Sequence, residues 1–287
     1  MAFIEGIMQY DFLQKALLTS VMVGIICGAI GCFIILRGMA LMGDAISHAV
    51  LPGVAISYAL GINFFFGAVF TGVLTAMAIG FVSQNSRIKQ DTSIGIMFTA
   101  AFAMGVILIT VLESSTDLYH ILFGNVLAVR PSDMWITLVI GLVVLGSIYL
   151  FYKELLVTSF DSVMASVYGL PVRLIHYFLM ALLTMVTVAS LQTVGIVLVV
   201  AMLITPAATA YLLTDRLSTM VFLASTIGAV SAVIGLYFSY TYNLASGATI
   251  VLAATALFII AFVFSPKHGL LWKKINSKKK QSELAKL

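Results

Sequence analysis

The sequence predicts an all-α, polytopic transmembrane bundle of eight or nine spans, on three observations. Of its 287 residues, 62% are hydrophobic and 9% charged, where a soluble domain carries about a quarter charged residues. Its mean hydropathy is +1.14. A chain this apolar cannot cover itself with polar surface, so lipid must be its main solvent. Finally, runs such as "ALLTSVMVGIICGAIGCFIIL" continue unbroken for roughly the twenty residues that a spanning helix needs. Only helices and closed barrels satisfy every backbone hydrogen bond in hydrocarbon. Barrel strands alternate apolar and polar residues over about ten positions, a pattern these runs lack.

The opening "MAFIEGIMQYDFLQK" is mixed and acidic, and the apolar run after it is too long for a signal core, so no cleaved leader is expected. Residues 1–12 form an N-terminal segment, 13–264 the transmembrane domain and 265–287 a basic tail. Spans are expected near 13–36, 44–61, 62–82, 93–112, 133–152, 173–190, 191–204, 219–238 and 245–264. The count is eight or nine because only "GIN" separates the second span from the third, and 191–204 is short for a crossing. Within the first span, Cys27 and Cys32 lie five residues apart and so on different helix faces, as small packing residues rather than a disulfide. Gly24 and Gly28 form a GxxxG, with Gly31 three residues on, the pattern of closely packed helices. The chain shows no domain boundary and no internal repeat, and its longer loops are 113–132 and 153–172.

Lysine and arginine set the orientation. The tail "KHGLLWKKINSKKKQSELAK" holds seven lysines and reads as cytoplasmic. Counting back through the spans puts Arg37, Arg87, Lys89, Lys153, Arg173 and Arg216 on the same side, leaving Lys15 and Arg130 outside with the N-terminus. The tail is a positive-inside anchor rather than a nucleic-acid patch.

The stretch "RGMALMGDAISHAVLPG", residues 37–53, leads into the second span, with Asp44 and His48 one helical turn apart. An ionisable group within a span costs a few kcal/mol and persists where it pairs, meets water or binds something. Residues i and i+4 share a helix face, so this carboxylate and imidazole can meet at one point, with Ser47 near it. Pro52 and Gly53 follow and can loosen the helix. The spacing fits a structural hydrogen bond, a proton relay or a metal site. A carboxylate and an imidazole suit Mn²⁺, Zn²⁺ or Fe²⁺. Two ligands are too few for a cage, but a two-fold dimer would double them. The alternation puts Asp44 near the inner end of its span, and a tilted or re-entrant segment at 37–53 would carry it deeper.

Elsewhere ionisable groups have ordinary explanations. His120, beside Asp117 and Tyr119, belongs to the outer loop, while His176 follows Arg173 at the inner start of a span, where snorkelling or a headgroup contact is expected. Asp133, behind Pro131, reads as a helix N-cap.

Three stretches together, "GCFIILRGMALMGDAISHAVLPGVA", "SSTDLYHILFGNVLAV" and "VGIVLVVAMLITPAATAYL", resemble the membrane permeases of bacterial manganese, zinc and iron ABC importers, the manganese permeases above all. The resemblance runs from about residue 10 to 265 and implies a multi-pass protein of the bacterial plasma membrane. It implies two permease copies, two cytoplasmic ATPases and an extracytoplasmic metal-binding protein, with a divalent cation, Mn²⁺ before Zn²⁺ or Fe²⁺, as cargo and no resident cofactor. It places the metal on Asp44 and His48. It also implies a short cytoplasmic helix docking into the ATPase, matched by "TPAATAYLLTDRL" with Thr205, Pro206, Ala207, Ala208, Thr209, Asp215 and Arg216. Pro206 would start that helix, and "SFDSVMASVYGLP" is a second candidate contact. No G-x-x-x-x-G-K-[ST] phosphate loop is present, so the chain is not itself the expected ATPase. A proton- or sodium-coupled transporter is the competing reading. An intramembrane metalloenzyme is disfavoured because no H-E-x-x-H or comparable ligand set occurs.

Overall fold

The computed structural model describes residues 2–112 and 126–265; His120 and the lysine tail lie outside the described residues. The helices are α1 (Ala2–Gln9), α2 (Asp11–Leu36), α3 (Met42–Ala49), α4 (Leu51–Leu60), α5 (Phe64–Asn85), α6 (Gln90–Val111), α7 (Pro131–Leu150), α8 (Tyr152–Phe160), α9 (Ser162–Val167), α10 (Val172–Val194), α11 (Ile196–Leu213), α12 (Leu217–Tyr242) and α13 (Ser246–Phe264). Among the described residues, eight of these are long and apolar enough to cross a membrane.

The segment expected to cross at 44–61 is divided into α3 and α4 at Val50. Pro52 has no N–H to give the carbonyl of His48, four residues earlier, so the helical ladder cannot run through. Neither α3 nor α4 is by itself long enough to cross, at 8 and 10 residues. Leu36, Arg37, Gln84, Gln90, Val172 and Arg173 meet around one cavity, so the ends of α2 and α5 and the starts of α6 and α10 share one side of the bundle. Below, this is the basic end.

The core is built on α2, which packs against α7, α10, α11 and α12 and buries every residue from Ile26 to Ile34, Phe33 and Ile30 completely. Here the small residues do what their spacing predicts. A Cβ on Gly24 would stand 2.6 Å from the backbone carbonyl of Gly228, and one on Gly28 would stand 2.6 Å from that of Ala224. Helices α2 and α12 therefore touch backbone to backbone, the contact that drives association where lipid removes the hydrophobic incentive. Cys27 and Cys32 are free and buried in the same helix.

Three local expectations are corrected. The crossing read as 191–204 runs from Ile196 to Leu213, a full 18 residues. Its start is set by Gly195, whose φ of 83° turns the chain from α10 into α11 in one residue, a conformation open mainly to glycine. Pro206 lies inside α11 and does not begin a separate short helix. Pro206 leaves the Met202 carbonyl without its helical donor, a loss that membrane helices tolerate. Asp133 is not the N-cap of α7: Arg130 holds that place, with Pro131 and Asp133 in the first turn.

Candidate metal centre

Helix α3 brings Asp44 and His48 to one face, as the four-residue spacing requires. His48 Nε2 stands 3.6 Å from Asp44 Oδ1. That is beyond hydrogen-bond length, so the carboxylate and the imidazole converge without being tied together. The two groups stay within ion-pair distance of each other.

The histidine is held by its flanks instead. Phe98 and Phe102 of α6 lie 5.8 and 5.6 Å from the His48 ring, centroid to centroid, the latter edge-on at 89°. His48 Nδ1 is buried without a hydrogen-bond partner, whereas metal-ligating histidines nearly always anchor the second nitrogen. Aromatic contact is thus the restraint on this ring.

Both polar side chains open into a cavity of about 470 Å³ whose other wall is one face of α11, from Val197 through Val200, Ala201 and Ile204 to Thr205. The cavity wall begins at Ile196, the first residue of α11, and reaches Thr205, about 14 Å along the axis at 1.5 Å per residue. His48 lies beside Phe98 and Phe102, midway along α6, and Gly43 lies against Leu203, midway along α11. The pair therefore sits about midway along the spanning helices.

The cause is long-range packing. Gly31 of α2 lies against the Leu203 carbonyl, and Gly43 of α3 lies against the Leu203 side chain. The turn at 37–41 therefore folds back, so that α3 begins level with the middle of α11. A 45% exposed Asp44 side chain and a 25% exposed His48 side chain result, in a cavity otherwise lined by aliphatic residues and Thr205.

Ser47 does not join them. It is buried, its hydroxyl donates to Gly43 O at 2.8 Å, and it does not line the cavity. Thr205, read from sequence as part of a cytoplasmic docking helix, instead forms the cavity wall opposite Asp44. Ala207 and Ala208 follow inside α11, and Thr214, Asp215 and Arg216 form the turn before α12. Among the described residues, no group of three or more His, Cys, Asp or Glu side chains could hold a metal ion. Asp44 and His48 are two candidate ligands on one chain.

At the basic end, α9 follows α8 as a single capped turn, its N-cap Asp161 accepting from the amides of Val163 and Met164 at 3.0 and 2.8 Å. Val163, Val167 and Tyr168 on α9 and just after it are each about three-quarters exposed, beside a groove of about 730 Å³ against the start of α10. Arg37 ties α8 to the core, donating from Nε to Ser159 Oγ at 3.0 Å and from Nη2 to Thr158 Oγ1 at 2.7 Å.

Comparison with known proteins agrees with this architecture. The model of a family described as the ABC 3 transport family matches residues 9–265. The manganese transport system membrane protein MntC of Listeria monocytogenes is 70% identical over 274 residues, 96% of this chain and 98% of its own. The manganese import system permease protein ScaB of Streptococcus gordonii is 54% identical over 273 residues, 95% of this chain and 98% of its own. A chain in the structure titled "PsaBC from Streptococcus pneumoniae in complex with Fab" superposes with a TM-score of 0.86 at 55% identity, covering 95% of this chain and 99% of that one. This chain is a member of the ABC 3 transport family.

Proposed function

We propose that the chain is the permease subunit of an ATP-driven importer of Mn²⁺, and that two copies form the path with Asp44 and His48 of each receiving the ion. One observation carries the site: an ionisable carboxylate stands half-exposed midway along the spanning helices, where apart from His48 and Thr205 the cavity lining is aliphatic. Facing acyl chains it would cost several kcal/mol. Covered by a second copy of the same face, it would meet another Asp44 and His48, giving two carboxylates and two imidazoles for one ion. The relatives named for manganese support the choice of cargo; nitrogen and oxygen donors alone would also take Zn²⁺, and the affinity order favours Zn²⁺. Membership in an ABC transport family sets aside the gradient-driven alternative.

In this reading the basic end faces the cytoplasm, where separate ATPase subunits dock, and an extracytoplasmic protein delivers the ion at the opposite mouth. The docking surface is α9 with Val163, Val167 and Tyr168, an apolar patch where solvent would otherwise meet it. Of the stretch at 205–217, Asp215 and Arg216 lie at the same end as a subsidiary contact. Closure of the ATPases would move α9 and α8, and the Arg37 bonds would pass that movement to α2, whose following turn positions α3. Drawing the two α3 helices apart separates the ligand pairs and releases the ion, which demands a site of moderate strength.

The test is radioactive Mn²⁺ uptake by cells making the assembled transporter. Uptake is expected to cease when ATP is depleted and to continue when the proton gradient alone is collapsed. Uptake that follows the gradient and ignores ATP defeats the reading.

A further inference from the structure

A second cavity, about 470 Å³, opens at the basic end where α2, α5, α6, α8 and α10 meet. Its charged side chains are Arg37 and Arg173, with the His176 imidazole beside them and no carboxylate among the lining residues. The described bonds of Arg37 go to the neutral hydroxyls of Thr158 and Ser159. Among the described residues the ion pairs are Lys15–Asp11 and His48–Asp44, so neither arginine has a counter-charge within 4.0 Å. A guanidinium this far out of water is costly when uncompensated, and burial lowers the Arg37 pKa to about 10. Two further nitrogens in the same lining, His176 Nε2 and Gln90 Nε2, are buried without hydrogen-bond partners.

Four nitrogen-bearing side chains converge on one space, two of them charged and two with unanswered nitrogens. A divalent cation would be repelled here, so the cavity is not a second cargo site. An anion with several oxygens suits it, since guanidinium forks match phosphate geometry. We propose that this cavity binds a phosphate-class anion, with Arg37 and Arg173 taking its oxygens and His176 and Gln90 donating from the flanks. Basic pockets between helices at the cytoplasmic boundary take phospholipid headgroups, and free phosphate offers the same oxygens. Bound there, the anion bridges α2, α6 and α10 beside the Arg37 link to α8, stiffening the junction through which movement reaches α3. The site stands on its own geometry and does not depend on the nature of the cargo.

The test uses the full chain, with inorganic phosphate probed by equilibrium dialysis and phosphatidylglycerol by its retention, against phosphatidylcholine, in mixed-lipid nanodiscs. The variants are Arg37→Gln and Arg173→Gln. Arg173 is exposed, so its replacement leaves folding intact, as an unchanged melting temperature will verify. At least one probe should bind wild type, and binding should weaken roughly tenfold in Arg173→Gln, the worth of one charged hydrogen bond. Retention of the lipid alone names a headgroup as the source, and binding of phosphate alone names the free anion. Absence of both probes from wild type, or equal binding by folded variants, overturns the proposal; a carboxylate of a partner subunit filling the cavity would produce the first of these.

Discussion

His48 Nε2 and Asp44 Oδ1 stand 3.6 Å apart and face one cavity midway along the spanning helices. A carboxylate and an imidazole directed at one space are the donor types a divalent ion takes. Replacing Asp44 by Asn preserves volume and removes the charge. Asp44→Asn is expected to lower Mn²⁺ uptake by at least roughly tenfold, since even outer-shell changes cost tenfold or more at metal sites. Membrane insertion, read by the protein's level in purified membranes, should be unchanged because the carboxylate stabilises nothing else. Uptake at the wild-type rate would remove Asp44 from the path.

The His48 ring depends on aromatic contact because its Nδ1 has no partner. Phe102→Ala removes the edge-on neighbour and should raise the Mn²⁺ concentration for half-maximal uptake by about threefold to tenfold, with a smaller effect on the maximal rate. Phe102→Leu, which fills most of the space without the ring, should fall between. Identical uptake curves for all three would show that the ring is positioned otherwise.

Helices α2 and α12 approach too closely for any side chain at Gly24. Gly24→Val must drive the helices apart, an overpacking cost of about 1–3 kcal/mol. The expected outcome is a lower melting temperature in detergent and less folded protein, with no selective loss of metal binding per folded molecule.

Thr158 and Ser159 are the hydroxyls through which Arg37 holds α8. A Thr158→Val, Ser159→Ala double variant leaves the arginine and the Asp44 cavity in place but cuts the link. In the assembled transporter, ATP hydrolysis should persist while Mn²⁺ moved per ATP falls several-fold. Separately, Val163→Glu with Val167→Glu should abolish copurification of the ATPase with the permease. Unaltered copurification would move the docking surface away from α9.

Much of this organisation is legible in single residues. Arg37 and Arg173, placed together only by counting spans, do line one cavity, because charge at helix ends is governed by the bilayer and not by distant contacts. The Gly24 and Gly28 contact follows from spacing alone, since helix geometry fixes which residues share a stripe. The depth of Asp44 is another matter. It arises from Leu203 standing against both Gly31 and Gly43, a three-body contact between segments about 160 residues apart, which no local pattern encodes. Pro206 misleads for a similar reason: a proline that ends a helix in water is tolerated within one in lipid. Phe98 and Phe102 carry the i, i+4 spacing of a ligand flank, but in a chain so rich in phenylalanine that spacing is indistinguishable from a lipid-facing stripe. Ser47 shares sequence proximity with Asp44 but spends its proton on its own helix.

The most direct measurement is the stoichiometry and ligand signature of Mn²⁺ bound to the purified permease in nanodiscs, followed by electron paramagnetic resonance. One ion per two chains, with nitrogen couplings that vanish in His48→Ala and binding that is lost in Asp44→Asn, is the expected outcome. One ion in every single chain, or full binding retained by folded Asp44→Asn protein, would show that the ion does not travel between two copies of this pair.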